Sequence, residues 1–242
     1  MVLACCIVFL RCSTDNKSES VTALFLEAVN QFGLPSRVQS DFGTENVGVA
    51  EYMLHHPERG PNRLSLLTGH SVHNQRIERL WVEVKNNVVS YYHNLFYFLE
   101  QCQLLDPVNE LHLFVLHCTF LPCINRTLGE MAGSWNNHPM SAERNRSPRQ
   151  LWHSGMTAST NSDYLAVQSV FANDQEMNEF GTGGGPIPDL DTDNDAEVPE
   201  VWFGLSDEQW QQLQESVEPS SGDGNHGVNL YVAALEVLDE TS

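Results

Sequence analysis

Residues 37–46, RVQSDFGTEN, decide how the fold of this chain is interpreted. The short segment SRVQS predicts a β-strand, and Asp41 follows it at once, with Gly43 opening a turn two positions later. Functional groups gather at the carboxyl ends of the strands in an open α/β sheet. Asp41 is therefore a candidate functional residue, although an aspartate before a glycine is also common in ordinary turns.

The sequence before this segment predicts a strand and a helix. Residues 4–12 are apolar on both faces, which predicts a buried strand rather than a signal peptide, because no basic residue precedes the apolar run. A helix follows over residues 21–33, with Ser18 or Ser20 as its cap and Gly33 at its end. Together with the strand before Asp41, this order predicts a βαβ unit of an α/β sheet.

A long helix is predicted to begin near His73 and to end before Asp106-Pro107. Its apolar residues recur at helical spacing: Ile77, Leu80, Trp81, Val84, Val88, Tyr91, Tyr92, Leu95 and Leu99. Glu78 lies off this stripe in the first turns, where a glutamate is also a common partner of the helix dipole. Asn74 and Gln75 share its face. Two carboxylates from separate elements suit a hard cation such as Mg²⁺, so Asp41 and Glu78 are candidate metal ligands.

The rest of the chain is predicted to form shorter elements and a tail. Residues 44–70 are predicted to form a long connection with one short helix, and one or two helices follow Pro107. Residues 147–152, SPRQLW, predict the start of a closing helix. We place a domain boundary after residue 156, with residues 1–156 as the main domain and residues 157–242 as a largely disordered acidic tail. The final apolar segment of that tail is either a helix or a strand.

Two motifs resemble those of one enzyme family. SDFGTEN resembles the second-aspartate motif of DDE-type integrases and transposases, and HNQRIERLW resembles their glutamate motif. The 36 residues between Asp41 and Glu78 are close to the family's usual spacing. SPRQLW resembles the helix start that closes such cores. The resemblance is greatest to transposon-derived integrase core domains of animal genomes, and it covers roughly residues 7–155.

This resemblance implies a ribonuclease-H-like mixed sheet with flanking helices, and Mg²⁺- or Mn²⁺-dependent phosphodiester transfer on DNA. Asp41 and Glu78 would be catalytic metal ligands. Gln75 and Arg79 would position the substrate, and the other candidates for nucleic-acid contact are Asn74, Arg76 and Lys85. A homo-oligomer and nuclear residence are further expectations from the family. The scattered cysteines favour an intracellular protein, and the N-terminal apolar run of about ten residues is too short to span a membrane.

One family feature is not found in the sequence. The family needs a first aspartate on its first strand, about fifty residues before the second, and counting back fifty positions from Asp41 passes Met1. We therefore expect a chain that is truncated at its N-terminus, lacks the first strand and is catalytically crippled. The alternative function is a non-enzymatic module that binds nucleic acid or a protein partner.

The charge distribution supports that alternative. Residues 1–149 carry 12 basic and 14 acidic residues, whereas residues 150–242 carry 18 acidic residues and no lysine or arginine. An acidic tail with Trp202, Phe203 and Trp210 is suited to docking a protein partner, and clustered bases for DNA contact are few.

Two segments besides the carboxylate pair contain residue types that bind metal ions. His112, His117, Cys118 and Cys123 are residue types that bind zinc, but their spacing fits no common zinc site and their segment is very apolar, which favours core packing. Residues 189–200 place acids at the ligand positions of a calcium loop, but Asn194 replaces the required glycine. A solvated linker is the alternative interpretation there.

Overall fold

The computed structural model describes residues 2–3, 6–40, 43–60, 65–68, 75–159, 211 and 227–239. The chain divides into two compact units. The first comprises residues 1–10, 15–82 and 131–195, and the second comprises residues 11–14, 83–130 and 196–242. No helix of the described ranges is long and apolar enough to cross a membrane.

The first unit contains a parallel strand pair. Strand β3 (Val38–Ser40) pairs with β4 (Leu66–Thr68), with Val38 opposite Leu66 and Ser40 opposite Thr68. The connection between them contains helix α2 (Val47–His55), so residues 38–68 form a βαβ unit. We predicted this unit over residues 4–40, which is wrong. Among the described residues, the strand before the first helix, β2, pairs with β1 and not with β3.

The predicted strand over residues 4–12 is also wrong in its extent. The N-terminal segment forms a small antiparallel pair, β1 (Val2–Leu3) with β2 (Cys6–Ile7). The Ile7 N–H donates to Asn136 Oδ1 at 2.8 Å, and Asn136 Nδ2 donates to the Ile7 carbonyl at 2.8 Å. A side-chain amide has the same donor and acceptor as a peptide group, so Asn136 takes the place of a further strand at this position.

Helix α1 (Ser18–Phe32) packs against α2 through a small apolar core of Phe25, Val49 and Met53. Gly33 ends α1 as predicted, with a positive φ of 89°. The predicted serine cap is wrong, because the N-cap residue is Lys17 and Ser18 Oγ instead accepts a hydrogen bond from the Gly48 N–H at 2.9 Å. A side chain at Gly48 would place its Cβ 2.2 Å from Thr22 Oγ1, so this glycine permits the close approach of the two helices.

Arg59 ties the connection after α2 back to the loop that enters β3. Its Nε donates to the Pro35 carbonyl at 2.7 Å, and its Nη2 donates to the Leu34 carbonyl at 2.9 Å. The long connection predicted over residues 44–70 thus contains, besides its helix, a loop between α2 and β4 that Arg59 anchors. The short strand LLT that follows was missed because three residues are too few to show a period.

Helix α6 (Pro148–Ser159) begins where the SPRQLW motif predicted a helix start. Ser147 N–H donates to Gln150 Oε1 at 2.9 Å, and Gln150 N–H donates to Ser147 Oγ at 3.3 Å. This reciprocal pair is a capping box, and Pro148 occupies the first helical position, where its missing N–H costs nothing. The Trp152 ring packs edge-on against Phe32 at 5.6 Å.

The long helix near Glu78 forms as predicted, in three consecutive pieces. Helix α3 (Gln75–Val84) continues through a π-helical segment (Lys85–Val89) into α4 (Ser90–Gln101). Val84, Val88 and Leu99 are buried, but Trp81 and Tyr91, which we placed on the apolar stripe, are 47% and 40% exposed. The assignment of these two aromatic residues to the buried face is therefore wrong.

The second unit contains residues 110–130 of helix α5 (Glu110–Asn137). The Phe120 ring lies 5.0 Å from Phe96 of α4 and 5.8 Å from Tyr231 of helix α7 (Val228–Asp239). Tyr231 is fully buried and its hydroxyl donates to the Leu104 carbonyl at 3.3 Å. The final apolar segment of the chain is thus a helix that packs on the core of this unit.

A second asparagine of α5 holds the short stretch of residues 11–14 to the same unit. Cys12 N–H donates to Asn125 Oδ1 at 2.8 Å, and Asn125 Nδ2 donates to the Cys12 carbonyl at 3.0 Å. This is the same two-bond contact that Asn136 makes with Ile7 in the first unit. Asn125 and Asn136 are eleven residues apart, about three helical turns, so they lie on one face of α5.

We expect Asn136→Asp to lower the free energy of unfolding by about 1–3 kcal/mol, because the carboxylate cannot donate to the Ile7 carbonyl. Urea denaturation of the purified chain measures this change. The control is Asn137→Asp, whose exposed side chain donates only to the Gly133 carbonyl of its own helix. An equal loss of unfolding free energy in both variants would show that the contact between Asn136 and Ile7 does not stabilise the fold.

We expect the chain to lose stability in alkaline solution through Tyr231. Burial raises the pKa of Tyr231 from 10.0 to about 12. Between these pH values the unfolded chain releases a proton that the folded chain retains, so the free energy of unfolding falls as pH rises. Tyr231→Phe removes this contribution and loses about 1 kcal/mol of hydrogen bonding at neutral pH. Urea unfolding at several pH values gives the pH dependence of the unfolding free energy for the wild type and for Tyr231→Phe. Equal pH dependence in the two proteins would contradict the raised pKa of Tyr231.

Candidate metal and nucleic-acid site

The parallel strands end together at one edge of the sheet. Ser40 is the last residue of β3 and lies opposite Thr68, the last residue of β4. Asp41 is the next residue in the sequence after β3, as the opening motif predicted, but it lies outside the described residues, as does Asn74. The structure therefore supplies the strand end on which the prediction for Asp41 depends, without describing its carboxylate.

Glu78 lies in the first turn of α3, which begins at Gln75. The side chains of Gln75, Arg76 and Glu78 are outside the described part of the chain, so the distance from Glu78 to Asp41 stays a prediction. The first turn of a helix is the positive end of its dipole and favours a carboxylate there. This position suits a metal ligand and an ordinary dipole partner equally, so both interpretations of Glu78 remain.

Two basic candidates on the glutamate helix are exposed. Arg79 follows Glu78 directly, and Lys85 is the first residue of the π-helical segment. Lys85 lies seven residues after Glu78, a spacing that predicts a shared face in a regular α-helix. Arg79 directly follows Glu78, a step of about 100° around a helix, so the spacing of Lys85 is the better of the two for a group bound beside Glu78.

Trp81 is a residue of this face that sequence reasoning assigned to the core. It lies three positions after Glu78 and four before Lys85, the spacings at which residues of a regular helix are expected to be neighbours. Its side chain is 47% exposed. An exposed indole beside a basic residue can stack on a nucleobase. The signal that was overlooked is that Leu80, Val84 and Val88 already form a complete stripe without Trp81.

The π-helical segment was not predicted either. Ser90 Oγ donates to the Lys85 carbonyl at 2.8 Å, five positions back, next to the wide turn of this segment. Leu80, Val84, Val88 and Tyr92 recur at a constant step of four, which would drift around an ideal helix of 3.6 residues per turn. A wider turn corrects that drift, and such segments are frequent at functional sites.

The earliest acids of the chain do not complete a carboxylate site on the strands. Asp15, Glu19 and Glu27 are the acids before Asp41. Asp15 Oδ1 accepts from the Lys17 N–H at 3.1 Å just before α1, and the two glutamates lie in α1. None of the three is on a described strand, so a first strand carrying an aspartate is not provided by residues 1–40.

The histidine and cysteine residues of α5 do not form a metal site. No three His, Cys, Asp or Glu side chains converge among the described residues, which include all four candidates. Burial raises the pKa of Cys118 and lowers the pKa of His117, so both are held in their neutral forms. His112 Nδ1 accepts from the Asp106 N–H at 3.1 Å. The calcium-loop candidate at residues 189–200, and Trp202, Phe203 and Trp210, lie outside the described part of the chain.

The comparison with known families agrees with the two motifs. A family model described as Integrase core domain matches residues 3–166, a range that includes Asp41, Glu78 and the start of α6. No curated protein and no solved structure matches the chain. The family has a ribonuclease-H-like α/β fold, uses divalent metal ions and binds DNA. Since the match spans most of the sequence, the chain belongs to the integrase core domain family.

Proposed function

We propose that this integrase core domain binds one divalent cation between Asp41 and Glu78 and holds DNA beside it, without completing strand transfer by itself. The observation that carries the proposal is the strand end at Ser40, opposite Thr68, because Asp41 follows directly from it. Carboxylate oxygens are the ligands that Mg²⁺ and Mn²⁺ take in proteins, so the donor types of the two residues fit the ion.

The connection from β4 to α3 supports a shared site. Residues 69–74 are six residues, which is a typical length for the loop between a strand and the next helix in α/β units. So short a separation in the sequence favours a start of α3 near the edge where β3 and β4 both end. Glu78, one turn into α3, would then lie near the residue that follows Ser40.

The cation would supply charge neutralisation for a phosphodiester, but the carboxylate set is incomplete. Two-metal catalysis of phosphodiester transfer uses a clamp of two ions about 4 Å apart, which needs bridging carboxylates. Asp15, Glu19 and Glu27 precede or lie in α1 rather than on a strand. We infer that one cation binds and that catalysis requires a carboxylate from outside this set.

The DNA contact is proposed for the face that Glu78 shares with Trp81 and Lys85. Lys85 would bind a backbone phosphate, and Trp81 would stack on a base next to it. Asn74, Gln75 and Arg76 precede Glu78 and belong to the same proposal as polar contacts at the helix start. Binding is expected to be weak, because the 12 bases of residues 1–149 are balanced by 14 acids.

The alternative function, docking of a protein partner by the acidic tail, stays a prediction. Its aromatic residues lie outside the described part of the chain, and no described contact favours it. The part of the tail that is described, α7, buries Tyr231, Ala234 and Leu238 within the second unit. These side chains are therefore not available for a partner in the folded state. Nuclear residence likewise remains part of the proposal that follows from the family.

We expect Asp41→Asn and Glu78→Gln each to weaken Mg²⁺ or Mn²⁺ binding by about tenfold or more, because each removes a charged ligand. Isothermal titration calorimetry of the full chain measures the affinity. Asp106→Asn is the control, since it makes the same charge change at an exposed residue whose Oδ1 accepts from the Val108 N–H. Equal affinities in all four proteins would remove the metal site.

The absence of turnover is tested on the same proteins. We expect no Mg²⁺- or Mn²⁺-dependent cleavage of an end-labelled DNA duplex by the wild-type chain, since two carboxylates do not build a two-metal clamp. Cleavage that disappears in Asp41→Asn would show that the chain is an active nuclease and would overturn this part of the proposal.

We expect Lys85→Gln to weaken binding of a labelled DNA duplex uniformly across sequences and to reduce the salt slope of the affinity by about one. Fluorescence anisotropy at several salt concentrations gives both quantities. The control is Lys17→Gln at the only other lysine of the chain, at the start of α1. Trp81→Leu should weaken the binding of single-stranded DNA and change the salt slope of the affinity little, because stacking involves no counterion release.

A further inference from the structure

The first unit contains a polar cleft of about 450 Å³ at the start of α6. We call it the α6 cleft, and it is lined by Asn137, Pro139, Asn145, Ser147, Arg149, Gln150 and His153. None of these residues is a candidate of the metal site or the glutamate helix. All but Ser147 are exposed, so a ligand can reach the cleft from solvent.

The lining is rich in hydrogen-bond donors and contains no acid. Arg149 and His153 are four residues apart on α6, so they lie on the same side of the helix. The Arg149 guanidinium makes no ion pair with any described residue. The nearest acid in sequence, Glu143, lies 3.8 Å from the Arg146 guanidinium. In a chain with a formal net charge of −20, a cleft with an arginine and no acid is a local exception, and its charge favours the binding of an anion.

The wall opposite α6 is preset by backbone hydrogen bonds. Met140 N–H donates to the Arg146 carbonyl at 3.1 Å, and Asn145 N–H donates to the Met140 carbonyl at 3.0 Å. This closed loop holds Asn145 in the left-handed region, with φ of 59°, a conformation that asparagine tolerates better than most residues. These hydrogen bonds fix the backbone of the loop that carries Asn145.

The capping box uses only one of the two polar atoms of the Gln150 side-chain amide. Gln150 Oε1 accepts from the Ser147 N–H, which leaves the Nε2 group of Gln150 without a partner among the described residues. Asn137 Nδ2 donates to the Gly133 carbonyl. Within the described ranges, the donors of the lining without a partner are thus Gln150 Nε2, the Asn145 amide, the His153 ring and the Arg149 guanidinium. Several donors around one arginine suit an oxyanion with several acceptor oxygens.

We propose that the α6 cleft binds a phosphate group, with Arg149 as its main contact and Asn145, Gln150 and His153 as further donors. The planar guanidinium matches two phosphate oxygens at once, and the positive end of the α6 dipole adds a favourable field. The volume exceeds that of one phosphate and lies within the range of small-ligand pockets, so there is room for an attached sugar or base. This site does not rest on the proposed metal site.

The test is a titration of the ¹⁵N-labelled full chain with inorganic phosphate in buffer containing a chelator, against sodium chloride at the same ionic strength. We expect amide shifts confined to Asn145, Arg149 and their neighbours. Arg149→Gln should weaken phosphate binding about tenfold, the effect of losing a charge-assisted contact. Arg144→Gln is the matched control, because it removes the same charge from the loop just before α6, at a residue that does not line the cleft.

A second variant separates the side chain from the backbone. Asn145→Gly keeps the positive φ, which glycine adopts freely, and removes the amide donor, so it should weaken phosphate binding without unfolding the loop. The source of the phosphate is then distinguished by a short DNA duplex. Competition with inorganic phosphate for the same shifts assigns the cleft to a nucleic-acid backbone, and no competition assigns it to a free phosphate or monoester.

The proposal is overturned if phosphate causes no localised shifts beyond those of chloride, or if Arg149→Gln and Arg144→Gln weaken binding equally. Because the chelator removes divalent cations, these outcomes are independent of the Asp41 and Glu78 experiments. Loss of metal binding in those variants with intact phosphate binding would refute the metal site alone.

Discussion

The parallel pairing of β3 with β4 is the constraint on which the candidate site depends. Parallel strands point in one direction, so the residues that follow them emerge at one edge, and here Ser40 and Thr68 end opposite each other. Asp41 follows the first strand, and the glutamate helix follows the second after six residues. A strand pair of only three residues on each side is short, so its position relies on the elements around it. Arg59, the α1–α2 contact and Gly48 all act on the segments that lead into this pair.

Helix α5 satisfies exposed backbone groups with side-chain amides. Asn136 and Asn125 each pair with both the N–H and the carbonyl of one residue in the N-terminal segment, Ile7 and Cys12. A backbone group left unpaired in a partly buried position costs about as much as a lost hydrogen bond, so these contacts replace strand partners that the described residues do not provide. The same helix buries Phe120 against α4 and α7 in the second unit.

Patterns that repeat over many residues predicted the helices well. Helix α1, the helix through Glu78, α6 and the helical candidate near residues 47–55 were all found, because each has several apolar residues at helical spacing or a clear start and stop signal. The short strands were predicted poorly. One long strand was predicted over residues 4–12, whereas the strand found there is Cys6–Ile7, paired with Val2–Leu3, and β4 was not predicted. A two- or three-residue strand has no period, and only its partner identifies it.

The sequence by itself determined the family, through two motifs and their spacing, because the types of residue and the number between them are properties of the chain alone. It also determined the charge asymmetry and the helix that carries Glu78. Only the tertiary structure decided which strand β3 pairs with, that Trp81 faces solvent, and that Arg149 and Asn145 meet in one cleft. Strand partners, exposure and clefts depend on contacts between residues far apart in the chain, and no local pattern encodes which distant segment a residue will meet.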